Sequence, residues 1–454
     1  MRLARPGYIV FTLKRGERFR HVPAFVDCLA GAGRAVGRLG HPKIDEALND
    51  RGCGARVACV YHSYASLGRF GEQHAHFDDI EEELGLSRTY RAQIGDPAAT
   101  ASVLSALRDL EIVESAASQT LATTQDETTE ASAADLADAG RPHRQINAPA
   151  ALAMEPGDER VTTAVVDTGI VVGHPEFQRK CLAGYDTCDL GLGRIDGRYR
   201  LVGDSRGHDY NPFDDVGHGC HVAGIIGAQG WRLPPGIGGR ALLLAIRVLA
   251  AAVGERSRKR IGIGGLPDID AGMKIAVDLG AKVINMSFGT PAAALDPDAP
   301  IPHRQVTSYA ARKGCVLVAA AGNSGMDEVI FPAALPEVIC VASVNERNER
   351  SPFSTMGSHI TLSAPGERIV SCGVRGYQVN TGTSFAAPFV SGVAGLMVAR
   401  AMRAGRALDG AHVKSLLIES CRPLGKAFSR ETGHGLLDAA AALARLDRLL
   451  EART

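Results

Sequence analysis

Asn380-Thr381-Gly382-Thr383-Ser384-Phe385-Ala386-Ala387-Pro388 sets a serine just ahead of an apolar, small-residue helix pattern that runs on through Val390, Val393, Ala394 and Met397. Gly382 frees the backbone for a close approach, and Pro388 follows within the first-turn region where proline is tolerated. The spacing predicts the Ser384 hydroxyl at a helix N-terminus, where unpaired N–H groups favour developing negative charge. In isolation the same residues read more simply as a helix cap.

Outward from this stretch, residues 141 onward alternate apolar runs with helical spacing. Val161–Val166, Leu242–Ile246, Val283–Met286, Val316–Ala320 and Val338–Ala342 are near-continuous apolar strands, the pattern of a parallel sheet buried on both faces. Helical stretches stand between several of them, at His221–Gly227 and Ile269–Leu279. This predicts a doubly wound α/β domain that binds ligands at the carboxyl ends of its strands. Two strand ends and one helix start carry chemistry. Asp167 closes the first strand ahead of Gly169, placed to orient an imidazole, or simply to form a turn. His218, between Gly217 and Gly219, opens a small-residue helix and can take a proton near neutral pH. The alternative, a metal held by His218 and His221, lacks a third ligand at a known zinc spacing. Asn323 ends a later strand, and its side-chain N–H₂ suits a tetrahedral oxyanion, though a turn is again the plain reading.

Together, Asp167-Thr168-Gly169, His218-Gly219-Cys220-His221-Val222-Ala223-Gly224, Ala320-Ala321-Gly322-Asn323 and Gly382-Thr383-Ser384 resemble the four signature blocks of the subtilisin-like serine proteases (peptidase S8), in that family's order. Gln145–Pro149, Gly173–Glu176, Ser363–Gly366 and Gly433–Leu436 match connecting segments, and the likeness covers about 141–445. The resemblance implies a serine endopeptidase with Ser384 as nucleophile, His218 as general base and then acid, and Asp167 orienting the imidazole. Asn323 and the Ser384 backbone N–H would form the oxyanion hole. It further implies substrate-pocket walls at Ser287-Phe288-Gly289 and Ala321-Gly322. Ile330 would stand at the floor, shortening the pocket towards small or medium apolar P1 residues. Residues around Gly264 would pair with substrate as an added strand.

Several residues depart from the family's pattern. Cys220 replaces the usual threonine and reads as an inert core thiol or a site of oxidation and mercurial sensitivity. Residues 230–239 lack an asparagine-bearing calcium turn and Glu176 replaces a common aspartate ligand, so the usual strong calcium site is not expected and no cofactor is, with calcium at a weaker site left open. Gly254–Arg260 adds a basic segment near the cleft, a solvated loop or a reader of acidic substrates.

Residues 1–120 predict a small α+β unit: strands at Tyr8–Leu13 and Ala55–Tyr61, helices at 22–36 and 99–110, and an extended Ile112–Ser115. That order suits a ferredoxin-like sandwich, and it weakly resembles the family's inhibitory propeptide domain. The resemblance implies an intramolecular inhibitor cut in cis between about Ser118 and Asp126; a fused substrate-recruiting domain is the rival. Residues 121–140, rich in Ser, Thr, Ala, Asp and Glu, read as a flexible linker before a 141–450 peptidase domain.

The 454-residue chain holds fifty basic and fifty acidic residues, so bulk charge points to neither nucleic acid nor an anionic membrane. No stretch reads as a secretory signal or as a membrane span. Ten cysteines without a CxxC pair suit a reducing cytoplasm, with export by another route left open. The expected partner is a protein or peptide substrate. A catalytically idle, peptide-binding scaffold of the same fold is the alternative.

Overall fold

The structure, a computed structural model, describes residues 3–29, 31–63, 76–124, 127–195, 198–206, 210–255 and 259–452. At its centre seven strands lie in the order Leu362–Pro365, Val338–Val344, Val316–Ala320, Val283–Met286, Thr162–Asp167, Leu242–Arg247 and Cys181–Asp186. Every neighbouring pair is parallel. Alternate residues feed two cores, which is why the strands read as unbroken apolar runs. On one face Val165, Val283 and Val316 pack with Phe385, Phe389 and Val390 of the helix Thr383–Arg403. On the other, Val166, Ile284 and Leu317 meet Ile269 and Met273 of the helix Leu266–Asp278.

The helix Thr383–Arg403 departs from expectation twice. It is long and apolar enough by composition to cross a membrane, with a mean hydropathy of 1.5, although no such stretch is expected from the sequence. Its apolar character serves the core instead, for 89% of that window is buried. Pro388 also lies beyond the first turn, inside the helix. A proline there has no N–H for the carbonyl four residues back, and that carbonyl, Ser384 O, accepts the Ser287 hydroxyl at 2.8 Å instead.

Before the parallel sheet, Ala55–Cys59, Thr89–Ile94, Ala4–Leu13 and Val113–Thr123 form an antiparallel sheet in that order. Its own core holds Ile9, Phe11, Leu48, Val57, Val103 and Leu107, with the helix Thr100–Arg108 laid across it. The helix expected over 22–36 is confined to Phe25–Leu29. Pro23 precedes it, and Gly31 turns left-handed at φ +74° just beyond.

The segment expected to be a flexible linker is built into the fold. Val113–Thr123 runs on past the antiparallel sheet to pair with Arg260–Gly265, so eight strands share one sheet. Glu127–Glu130 pairs antiparallel with Tyr377–Thr381. Ser132 and Asp135 then form a capping box on the short helix Ala133–Ala137. Polar composition misleads here because the ordering comes from sheet edges elsewhere in the chain.

Charged groups buried on both sides join this N-terminal unit to the parallel-sheet unit. Lys274, fully buried, lies 2.6 Å from both Glu81 and Asp278. Arg91 reaches Asp268 at 2.8 Å and Asp189 at 2.9 Å. Breaking one partner of a buried pair strands the other without water. Glu81→Ala is therefore expected to cost about 3 kcal/mol of unfolding free energy. Adding Lys274→Met should recover part of that loss in urea denaturation.

Candidate active site

Asp167 closes one parallel strand and Asn323 follows another, while His218 and Ser384 open helices. Asp167, at the end of Thr162–Asp167, is fully buried and faces His218, whose Nδ1 lies 2.6 Å from Asp167 Oδ1. The same carboxylate oxygen accepts the Thr168 N–H at 2.7 Å. Burial pushes the Asp167 carboxyl up from its ordinary range, against the pull of His218 and that N–H.

A residue that the sequence reading missed holds His218 in place. Asp214 is fully buried and accepts the N–H groups of Val216, Gly217 and Cys220 at 2.8–2.9 Å. It therefore organises the first turn of the helix His218–Gly227. It also accepts the Thr168 hydroxyl at 2.9 Å, and Thr168 Oγ1 in turn accepts the Gly219 N–H. Helix and strand are thus tied through one carboxylate. The approach is close enough that a Cβ on Gly219 would stand 2.1 Å from Gly169 O. An aspartate four residues before the histidine was the signal available in the sequence.

Asn323 and Ser384 meet across the cleft. The N–H and hydroxyl of Thr383 donate to Asn323 Oδ1 at 2.9 and 2.8 Å, which fixes the amide with its N–H₂ end turned away from Thr383. Ser384 begins the buried helix, and its hydroxyl donates to Ser287 O at 3.3 Å. The Phe385 ring packs 5.4 Å from His218 and 4.5 Å from His221. His221 bonds Ile369 O at 3.0 Å and belongs to the wall behind the site. Among the described residues no cluster of His, Cys, Asp and Glu has metal-binding geometry.

Ser287, Phe288, Gly289, Gly322, Asn323, Ile330 and Ser384 line one cleft of about 220 Å³. Ala321 does not: it is fully buried behind the wall, its N–H bonded to Val341 O, and Ala320 takes its place in the lining. Ile330 reaches across the cleft floor, its Cγ2 2.4 Å from where a Cβ on Gly289 would stand. Glu328, not anticipated, also lines the cleft. Gly264 pairs with Ala122, while Thr123 bridges Gly289 and the Thr124 N–H donates to Gly262 O at 3.0 Å. The chain's own strand therefore lies in the cleft, flanked on both edges.

Cys220 is fully buried, accepts the Val171 N–H at 3.1 Å and has its thiol pushed well up by burial, which fits the inert reading. Of the basic segment, residues 256–258 lie outside the described residues. Lys259 and Arg260 line a small recess beside His218 and Thr124.

The model of the subtilase family, Peptidase_S8, matches residues 158–435. The chain belongs to the subtilase family. These are the subtilisin-like serine endopeptidases. This subtilase is 36% identical to a thermophilic serine proteinase of Bacillus sp. (strain AK1) over 242 residues, 52% of this chain and 52% of that protein. It is 35% identical to thermitase of Thermoactinomyces vulgaris over 241 residues, 52% of this chain and 74% of that protein. Among solved structures, a serine-to-alanine mutant of the protease domain of PatA matches with a TM-score of 0.51 and 30% identity, covering 64% of this chain and 97% of that one. The match thus spans about half the length of the first of these relatives.

Two buried histidines predict acid sensitivity for the subtilase. Burial lowers His143, packed edge-on against Phe389, from 6.5 to about 4, and lowers His221 to about 3. Between those values and 6.5 the unfolded chain binds more protons, so stability falls as pH drops through the window. His143 alone accounts for up to about 3 kcal/mol of that loss. His143→Phe is expected to shrink the fall in unfolding free energy between pH 6.5 and 4, read by urea titration at each pH.

Proposed function

We propose that this subtilase hydrolyses peptide bonds of protein or peptide substrates through an acyl-enzyme on Ser384, and that its N-terminal unit is an intramolecular inhibitor cut in cis. The observation that carries this reading is the strand in the cleft. Residues 121–124 pair with Gly262–Gly265 on one edge and reach Gly289 on the other, and 127–130 resume on Tyr377–Thr381. The bonds joining these strands are those between Thr124 and Glu127. Ser384 and His218 flank Thr124 through two adjoining recesses. Gln125 and Asp126, where the expected cleavage range ends, lie outside the described residues.

In the proposed mechanism, His218 Nε2 takes the Ser384 proton as Oγ attacks the carbonyl, then returns it to the leaving amine. Asp167 holds the Nδ1–H tautomer and stabilises the imidazolium. The Asn323 amide and the Ser384 N–H, at a helix N-terminus, receive the oxyanion. Substrate enters as a strand between Gly262–Gly265 and Ser287–Gly289, bound chiefly through its backbone.

No calcium is proposed at Glu176, because the residues there do not suit it. Glu176 is fully buried, and its carboxylate accepts the N–H groups of Gly230, Trp231, Arg232 and Leu233 at 2.8–3.1 Å. Burial alone would raise its pKa, but these four donors outweigh that and lower it. The loop presents donors where a cation needs oxygen atoms. EDTA is therefore expected to leave the thermal midpoint unchanged, while Glu176→Ala, which takes the acceptor from four backbone N–H groups, that of Leu233 buried, costs about 3 kcal/mol.

Intact mass over time tests the central reading. Wild type is expected to split at one of the bonds between Thr124 and Glu127, while Ser384→Ala stays whole. If both stay whole and a fluorophosphonate fails to label Ser384 in a chain starting near Arg141, the catalytically idle scaffold is the better account.

A further inference from the structure

Among the residues lining the cleft beside Ser384, Glu328 alone is charged. It stands two positions before Ile330 in an extended stretch, with Val329 between them 42% exposed. Alternation along such a stretch turns 329 to solvent and 328 and 330 to the cleft. Ile330 is 5% exposed and lies against Gly289, in agreement with that orientation. Among the described residues, Glu328 has no ion pair and its carboxylate accepts no hydrogen bond. The neighbouring cation, Arg430, is held by both oxygens of Asp327 at 2.7 Å. The cleft therefore offers a substrate side chain an apolar floor at Ile330 and an unneutralised carboxylate on its wall.

We propose that Glu328 selects the residue on the amino side of the scissile bond, favouring side chains of moderate length that bring a hydrogen-bond donor or a positive charge, such as glutamine and lysine, and rejecting aspartate and glutamate. The proposal rests on the hydrolytic reading above and replaces the purely apolar preference drawn from Ile330. The physical reason is the partly water-excluded wall. A carboxylate there gains from a donor or cation and repels a second carboxylate more strongly than it would in water. The chain's own crossing segment is consistent with this. For the three bonds between Thr124 and Glu127, the residue on the amino side is Thr124, Gln125 or Asp126. Glu328 disfavours Asp126 and leaves two side chains that carry donors.

The test uses the full chain, incubated until its own split is complete by mass, and peptides Ala-Thr-Thr-X followed by a fluorogenic amide. X is Ala, Leu, Gln, Lys or Glu. In wild type, kcat/KM for X = Lys is expected to exceed that for X = Glu by about 100-fold, with Gln between them. Glu328→Gln should raise the Glu peptide and lower the Lys peptide by about tenfold each, bringing the Lys-to-Glu ratio to about one. A merely structural role for Glu328 would lower all five together. Mass of the split product adds a second reading, with cleavage after Thr124 or Gln125 expected and cleavage after Asp126 counting against the proposal. Equal X preferences in wild type and Glu328→Gln would overturn it while leaving the endopeptidase reading intact. No hydrolysis of any peptide and no split would overturn both.

Discussion

The site depends on a carbonyl that a proline sets free. Pro388 cannot donate to Ser384 O, so that oxygen turns out of the helix ladder and accepts Ser287 Oγ. Ser287 Oγ also accepts the Asn285 side-chain N–H at 2.9 Å, and Asn285 Oδ1 accepts the Ser391 hydroxyl at 2.8 Å. A closed polar chain thus runs from the helix to the sheet and back to Ser384. All its members are buried. Each bond adds modestly, but an unmade one in this setting costs the full desolvation of the group. The chain fixes the rotation of an otherwise uniformly apolar helix, which side-chain packing alone leaves underdetermined.

Carboxylates saturated by backbone N–H groups are the second recurring device. Asp214 takes three around the turn that leads into His218, and Glu176 takes four from one loop. Each replaces a regular element with a turn wrapped on a fixed charge. Such turns hold the backbone that carries the neighbouring side chains through charge-assisted hydrogen bonds.

The strands at 162–167, 242–247, 283–286, 316–320 and 338–344 were legible in the sequence because a sheet covered on both faces leaves an unbroken apolar signature. Asp167, His218, Asn323 and Ser384 were legible for a different reason: each stands in a short block with glycine at the close approaches. What stayed hidden depends on partners far along the chain. Residues 127–130 look like linker until the edge at 377–381 is known to be open to them. Glu328 looks like one more surface acid until Ile330 shows which way its stretch faces. Ala321 was misplaced by one residue because the strand end turns inward there.

Lys274 with Glu81, and Arg91 with Asp268, join two units of one chain. While the chain is whole, each unit meets the other at an effective concentration of about millimolar, whatever the dilution. A cut between Thr124 and Glu127 would turn the same contact into a bimolecular equilibrium. Occupancy of the cleft would then vary with how much protein is present and with ionic strength at its rim. An abundant pool of cut molecules would hold itself closed, and the same molecules, diluted or carried elsewhere, would open.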